Sequence, residues 1–92
     1  MSGVHALVLI KAETGLINEL AEQLADVPGI NEVFSVAGQY DLVALVRVKE
    51  NEELAEVISK RVRKLNGILA TETLIAFRVY TKAQLSQVLD LD

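Results

Sequence analysis

Apolar positions recur along this chain with two different periods. Val4 to Lys11 (VHALVLIK) is β-branched and leucine-rich, and it is apolar at both parities. Val4, Ala6, Val8 and Ile10 share one face of the predicted strand, and Leu7 and Leu9 share the other. That pattern belongs to a central strand covered on both sides. The period then changes. Leu16, Leu20, Leu24 and Val27 fall at i, i+4, i+8 and i+11, with Ile17 and Ala21 beside them, as one apolar helical stripe. Thr14 is the expected N-cap of a helix from about Gly15 to Asp26. Val27-Pro28-Gly29 ends it, because proline cannot continue a helix and glycine accepts positive φ.

Ile30 to Ala37 (INEVFSVA) and Leu42 to Lys49 (LVALVRVK) return to the strand period, with Gly38-Gln39-Tyr40-Asp41 between them as a hairpin loop. Asn51 is the expected N-cap of a second helix, and Glu52 and Glu53 suit its positive end. Leu54, Ile58, Val62 and Leu65 form its apolar stripe, and Asn66-Gly67 closes it. Ile68 to Tyr80 (ILATETLIAFRVY) reads as a long fourth strand. Thr81 is placed to cap a short C-terminal helix from Lys82 to about Leu89.

The order is βαββαβ, and the two halves end their helices alike, at Val27-Pro28-Gly29-Ile30 and Leu65-Asn66-Gly67-Ile68. This is the split-βαβ arrangement of the ferredoxin-like α+β fold: a four-stranded antiparallel sheet with two helices on one face. Right-handed crossovers put both helices on the same face. The other face, with Leu7, Leu9 and their neighbours on Leu42–Val46 and Leu74–Val79, is bare in a monomer. A large apolar patch on a soluble protein marks an interface, so the pattern predicts pairing of sheet faces into a dimeric α/β barrel.

Composition strengthens that expectation. The 92 residues make one domain, 1–92, with 81–92 as a C-terminal extension, and 51% of them are hydrophobic at a mean hydropathy of +0.32. So small a domain hides that much apolar material poorly, and self-association resolves the excess. The N-terminus lacks the pattern of a signal peptide, and no apolar run approaches the roughly 20 residues of a membrane-spanning helix. A cytoplasmic protein without a membrane partner is expected. The formal net charge is −4, which repels phosphate backbones on average. The one basic cluster, Lys60, Arg61, Arg63 and Lys64, fits the last turns of a helix, so direct nucleic-acid binding is not expected.

Catalytic chemistry finds little support. There is one histidine, His5, with no base–orienter arrangement around it, and there is no cysteine. A lone histidine makes a poor metal site. No P-loop or Gly-x-Gly-x-x-Gly is present. Neither a metal nor a cofactor is expected. Two segments are more informative. In the hairpin, backbone N–H groups around Gly38 to Tyr40 suit a carboxylate and Asp41 suits an ammonium. In the last strand, Thr71-Glu72-Thr73 sets two hydroxyls on one face.

With these residues the chain resembles the effector-binding domain of the Lrp/AsnC regulators, the RAM (regulation of amino acid metabolism) domain. The matching segments are Val27-Pro28-Gly29-Ile30, Val36-Ala37-Gly38-Gln39-Tyr40-Asp41-Leu42, Val46-Arg47-Val48-Lys49, and Asn66-Gly67-Ile68 with Thr71-Glu72-Thr73. The family normally carries an N-terminal helix-turn-helix domain. Here the first strand starts at about Val4, so the likeness is to a stand-alone version. The resemblance implies dimers through sheet faces, assembly of dimers into an octamer or another ring, and small amino acids bound between dimers. It implies ligand-binding roles for Gly38, Gln39, Tyr40, Asp41, Thr71 and Thr73, and it leaves room for co-assembly with full-length Lrp/AsnC regulators. The alternative is a small ferredoxin-like dimeric enzyme of the oxygenase or isomerase type, since this fold does not fix function.

Overall fold

Each strand extends only as far as a neighbour exists to pair with it. In the computed structural model, which describes residues 3–83, β1 (Val4–Ala12) is central and pairs antiparallel with both β3 (Leu42–Val48) and β4 (Ile68–Ile75). β2 (Ile30–Ser35) pairs with β3, and the sheet order is β2-β3-β1-β4. The expected fourth strand to Tyr80 is therefore too long. Ile75 pairs with Ala6, Ala76 donates its N–H to the His5 carbonyl at 2.8 Å, and β1 then runs out. The second strand likewise stops at Ser35, opposite Leu42, where β3 begins. The predicted C-terminal helix from Lys82 to about Leu89 lies almost wholly outside the described residues.

The parity expected for β1 is observed. Ala6, Val8, Ile10 and Ala12 are buried, together with Leu42, Ala44, Val46 and Val48 of β3. They pack against Leu20, Leu24 and Val27 from the first helix and Leu54, Val57 and Val62 from the second, as one cluster on one side of the sheet. Both helices thus cover the same face. On the other face Leu7 pairs with Leu45 and Leu74, and Leu9 pairs with Val43 and Glu72. There Leu7, Phe34 and Leu74 are 37%, 44% and 44% exposed.

The helix starts differ from expectation. Thr14 opens a 3₁₀ turn (Thr14–Leu16) that leads into α1 (Ile17–Ala25), and α2 (Asn51–Glu56) is preceded by Glu50, not capped by Asn51. Neither start has a side-chain cap bond; the carbonyl of Glu50 accepts from the N–H groups of Glu53 and Leu54. Beyond Glu56 the helix widens to a π-helix over Val57–Arg61 and tightens to a 3₁₀ turn over Val62–Lys64. The wider turn brings Val57 and Val62, five residues apart, onto the buried side, and Ile58 is only half-buried. Basic Lys60, Arg61, Arg63 and Lys64 are all exposed in these last turns.

Gly67 joins this second helical stretch to β4 at φ +96°, a conformation that side chains rarely adopt, and a Cβ there would lie 3.2 Å from the Leu16 Cβ and 3.0 Å from its Cδ1. Gly67→Ala is expected to destabilise the domain by about 2 kcal/mol or more through backbone strain and overpacking. The shift in the urea midpoint, at unchanged slope, measures it.

Candidate ligand-binding site

The most constrained loop of the molecule is the β2–β3 hairpin. Val36 donates its N–H to the Asp41 carbonyl at 3.0 Å, so the loop spans 36–41 and is wider than the four residues anticipated. Gly38 stands at its tip at φ +142°, with no heavy atom within 4 Å of where a Cβ would be. Gln39 is exposed beside it. The tip is open on its outer side, which leaves its backbone accessible to an incoming group.

Behind the tip, the loop crosses β1 and reaches β4. The N–H of Asp41 donates to the Ile10 carbonyl at 2.9 Å, and its carboxylate Oδ2 accepts the N–H of Ala12 at 2.8 Å. Ala12 sits where the β1–β4 register shifts, pairing with Ile68 while Lys11 pairs with Ala70, so that Leu69 is the unpaired bulge residue. Asp41 thereby satisfies a backbone donor at the bulge, where the regular ladder is interrupted. A carboxylate has acceptor capacity for several donors, and the bond to Ala12 uses part of it.

One position earlier in the chain, the Tyr40 hydroxyl donates to Glu72 Oε1 at 2.6 Å. The loop is thus tied to β4 by its tyrosine and to β1 by its aspartate. In the sequence Glu72 is only the residue between two threonines. Its signal is its parity: opposite Leu9 and two residues from Leu74, it is a charge set into an otherwise apolar face. The bond from Tyr40 to the Glu72 carboxylate, first, and slight desolvation, second, raise the tyrosine's pKa above its usual 10.0. Raised on folding, this pKa makes the contact a stabilising one below pH 10 that is lost as the phenol ionises at higher pH. Glu72→Gln should move the ionisation of Tyr40 downward, and a spectrophotometric tyrosine titration compared with wild type reads that change.

The six predicted residues come near one rim but not onto one face. Thr71 is opposite Ile10 and Thr73 opposite Val8, on the helix-bearing side, and both are half-buried. Tyr40 and its partner Glu72 belong to the open side. Because β4 is an edge strand, its rim is where both sides are reached from solvent. Hydroxyls, a carboxylate and the open hairpin tip there offer hydrogen-bond donors and acceptors for a small polar molecule. Among the described residues no group of His, Asp or Glu side chains is arranged to hold a metal ion, and no helix is long and apolar enough to cross a membrane.

Known proteins share this architecture. A family model described as the Lrp/AsnC ligand binding domain matches residues 5–85. An uncharacterized HTH-type transcriptional regulator of Pyrococcus furiosus is 37% identical over 78 residues, 82% of this chain and 52% of that protein. The HTH-type transcriptional regulator FL11 of the same organism is 36% identical over 77 residues, 84% of this chain and 50% of that protein. The chain spans about half the length of the curated relatives it matches. A homocitrate synthase of Sulfurisphaera tokodaii is 28% identical over 76 residues, which is 16% of that enzyme. Among solved structures, a Thermus thermophilus protein superposes with a TM-score of 0.81 at 46% identity, covering 86% of this chain and 99% of that one. Escherichia coli AsnC superposes at 0.79 with 19% identity, over 85% of this chain and 53% of that one, a likeness of fold.

Proposed function

The chain belongs to the Lrp/AsnC ligand-binding domain family, and from that premise we propose that it binds a small amino acid at the hairpin–β4 rim and transmits occupancy through assembly of dimers. The observation that carries this is the double tie of the hairpin: Asp41 to the bulge of β1 and Tyr40 to Glu72 of β4. It holds the hairpin tip and the threonine-bearing edge side by side. The backbone around Gly38 to Tyr40 takes the ligand carboxylate. The remaining acceptor capacity of Asp41 takes the ammonium, and Thr71 and Thr73 complete the polar contacts. A Neisseria meningitidis transcriptional regulator with the same fold, at a TM-score of 0.75 and 10% identity, has been solved as a complex with L-Met, which supports an amino acid as the ligand class.

Regulation, not catalysis, is the role in this proposal. The HTH-type relatives are transcriptional regulators, and the match to a sixth of a homocitrate synthase sets a similar segment inside an enzyme many times longer than the match. What these very different proteins have in common over the matched stretch is a candidate control module. Dimers form through the open sheet faces and assemble further into rings with the ligand between them, and mixed assembly with full-length regulators follows from the same surfaces. A ligand that binds only the assembled form stabilises it by mass action. A thermal-shift panel of amino acids tests the proposal. At a hundred times its Kd a true ligand adds about 2.7 kcal/mol, which raises the Tm of a domain this size by roughly 10 °C. A panel in which no amino acid raises the Tm would count against it.

A further inference from the structure

A groove crosses the open face of the sheet at the end away from the hairpin. It is lined by Ala76 beyond β4, His5 and Leu7 on β1, Leu45 and Arg47 on β3, and Asn31 and Glu32 on β2, and it encloses about 230 Å³. It therefore traverses all four strands. Asn31 is the unpaired residue where the β2–β3 register shifts between Ile30 and Glu32, so the β2 edge opens toward the groove. The floor is apolar at Leu7 and Leu45, and Glu32 stands on the far rim.

The chain also carries a segment of matching chemistry with nothing beneath it. After Ala76 it leaves the sheet, and Phe77, Val79 and Tyr80 are 103%, 38% and 72% exposed. Between them stands Arg78, also exposed. An extended stretch over 76–80 reaches about 16 Å at roughly 3.3 Å per residue. Three inter-strand spacings of about 4.8 Å span roughly 14 Å, the width of this sheet. The arm is long enough to cross one sheet and no longer than it needs to be.

We infer that the arm of one copy, Ala76–Tyr80, lies across this groove of a second copy of the chain. Phe77 and Val79 cover Leu7 and Leu45, and Arg78 reaches Glu32 at the β2 rim. The occupant is a second copy because apolar floor, apolar arm and the opposite charges at 78 and 32 all belong to this one sequence. The arm rises at the groove's own border, so an exchange between two facing copies fills both grooves at once, as two-fold symmetry requires. This rests on the pairing of open faces proposed above and adds to it a specific exchanged segment.

The chain has no cysteine, so engineered disulfides report the contact cleanly. Arg78→Cys and Glu32→Cys are made as separate single variants, both at exposed positions that leave the core untouched. The two are mixed and mildly oxidised, and Arg78→Cys is mixed in parallel with Glu22→Cys on the exposed side of α1 as the control. The expected result is a disulfide-linked heterodimer at least tenfold above the control. Two results overturn the inference. In one, the double variant closes an intrachain disulfide while the mixture yields none, which places the arm over its own groove. In the other, no disulfide forms although sedimentation shows a dimer, which places the arm elsewhere and leaves the paired faces standing. A folded wild-type monomer at high concentration would remove both proposals together.

Discussion

Replacing Asp41 with alanine is expected to weaken amino-acid binding at least tenfold and to lower folding stability by about 1.5–3 kcal/mol, the worth of a hydrogen bond to a charged group. The sequence suggests a turn aspartate that holds little of the core. The structure gives it a second duty, because its Oδ2 accepts the Ala12 N–H at 2.8 Å and Ala12 is 5% exposed. Alanine leaves that buried donor without a partner at the bulge. Asp41→Asn separates the two duties. Its amide oxygen can still accept from Ala12, so most of the stability is expected to remain, while the charge facing the ligand ammonium is gone. Urea denaturation of both variants beside ligand titration reads the split. Equal affinity in wild type and Asp41→Asn would take Asp41 out of the ligand site and leave it a purely structural residue.

Leu9→Lys is expected to dissociate the dimer and leave the protomer folded. In sequence alone the outcome depends on parity, since a lysine on the helix side would unfold the domain. The register settles it: Leu9 pairs with Val43 and Glu72 on the open face, whereas Val8 and Ile10 are fully buried beneath the helices. In an isolated protomer the lysine reaches solvent and lies opposite Glu72. Between two paired faces it is desolvated, which weakens association by about 3 kcal/mol or more, roughly a hundredfold or more in Kd. Sedimentation velocity with circular dichroism distinguishes a folded monomer from an unfolded chain. A variant that stays dimeric would show that the open face is not where the copies meet.

The elements of this fold are legible because each has a period that survives single-residue reading. Alternation in Val4–Ile10 and in Leu42–Val48 gives both strands and their buried parity, and the stripe through Leu20 and Leu24 gives the first helix. What the sequence hides is set by neighbours. Strand ends depend on where a partner stops, so β4 ends at Ile75 because β1 has run out, although Phe77 and Val79 keep the alternation. The π-helix over Val57–Arg61 changes which residues are buried after Leu54, and no propensity of Val-Ile-Ser-Lys-Arg announces it. The hairpin is recognisable by Gly38 and Asp41 as turn residues, but the bonds from Tyr40 to Glu72 and from Asp41 to Ala12 join positions about thirty apart in the chain. Only pairing brings them together. The same pairing separates Thr71 and Thr73 from Tyr40 by a sheet face, which spacing alone does not reveal.

The central claim is that this domain binds an amino acid. Its most direct test is a calorimetric titration of the wild-type protein with each of the common L-amino acids. One or a few are predicted to give saturable heat, with binding weakened at least tenfold in Asp41→Asn. If none of them binds at millimolar concentration while the protein is folded and oligomeric, the effector-binding account is contradicted.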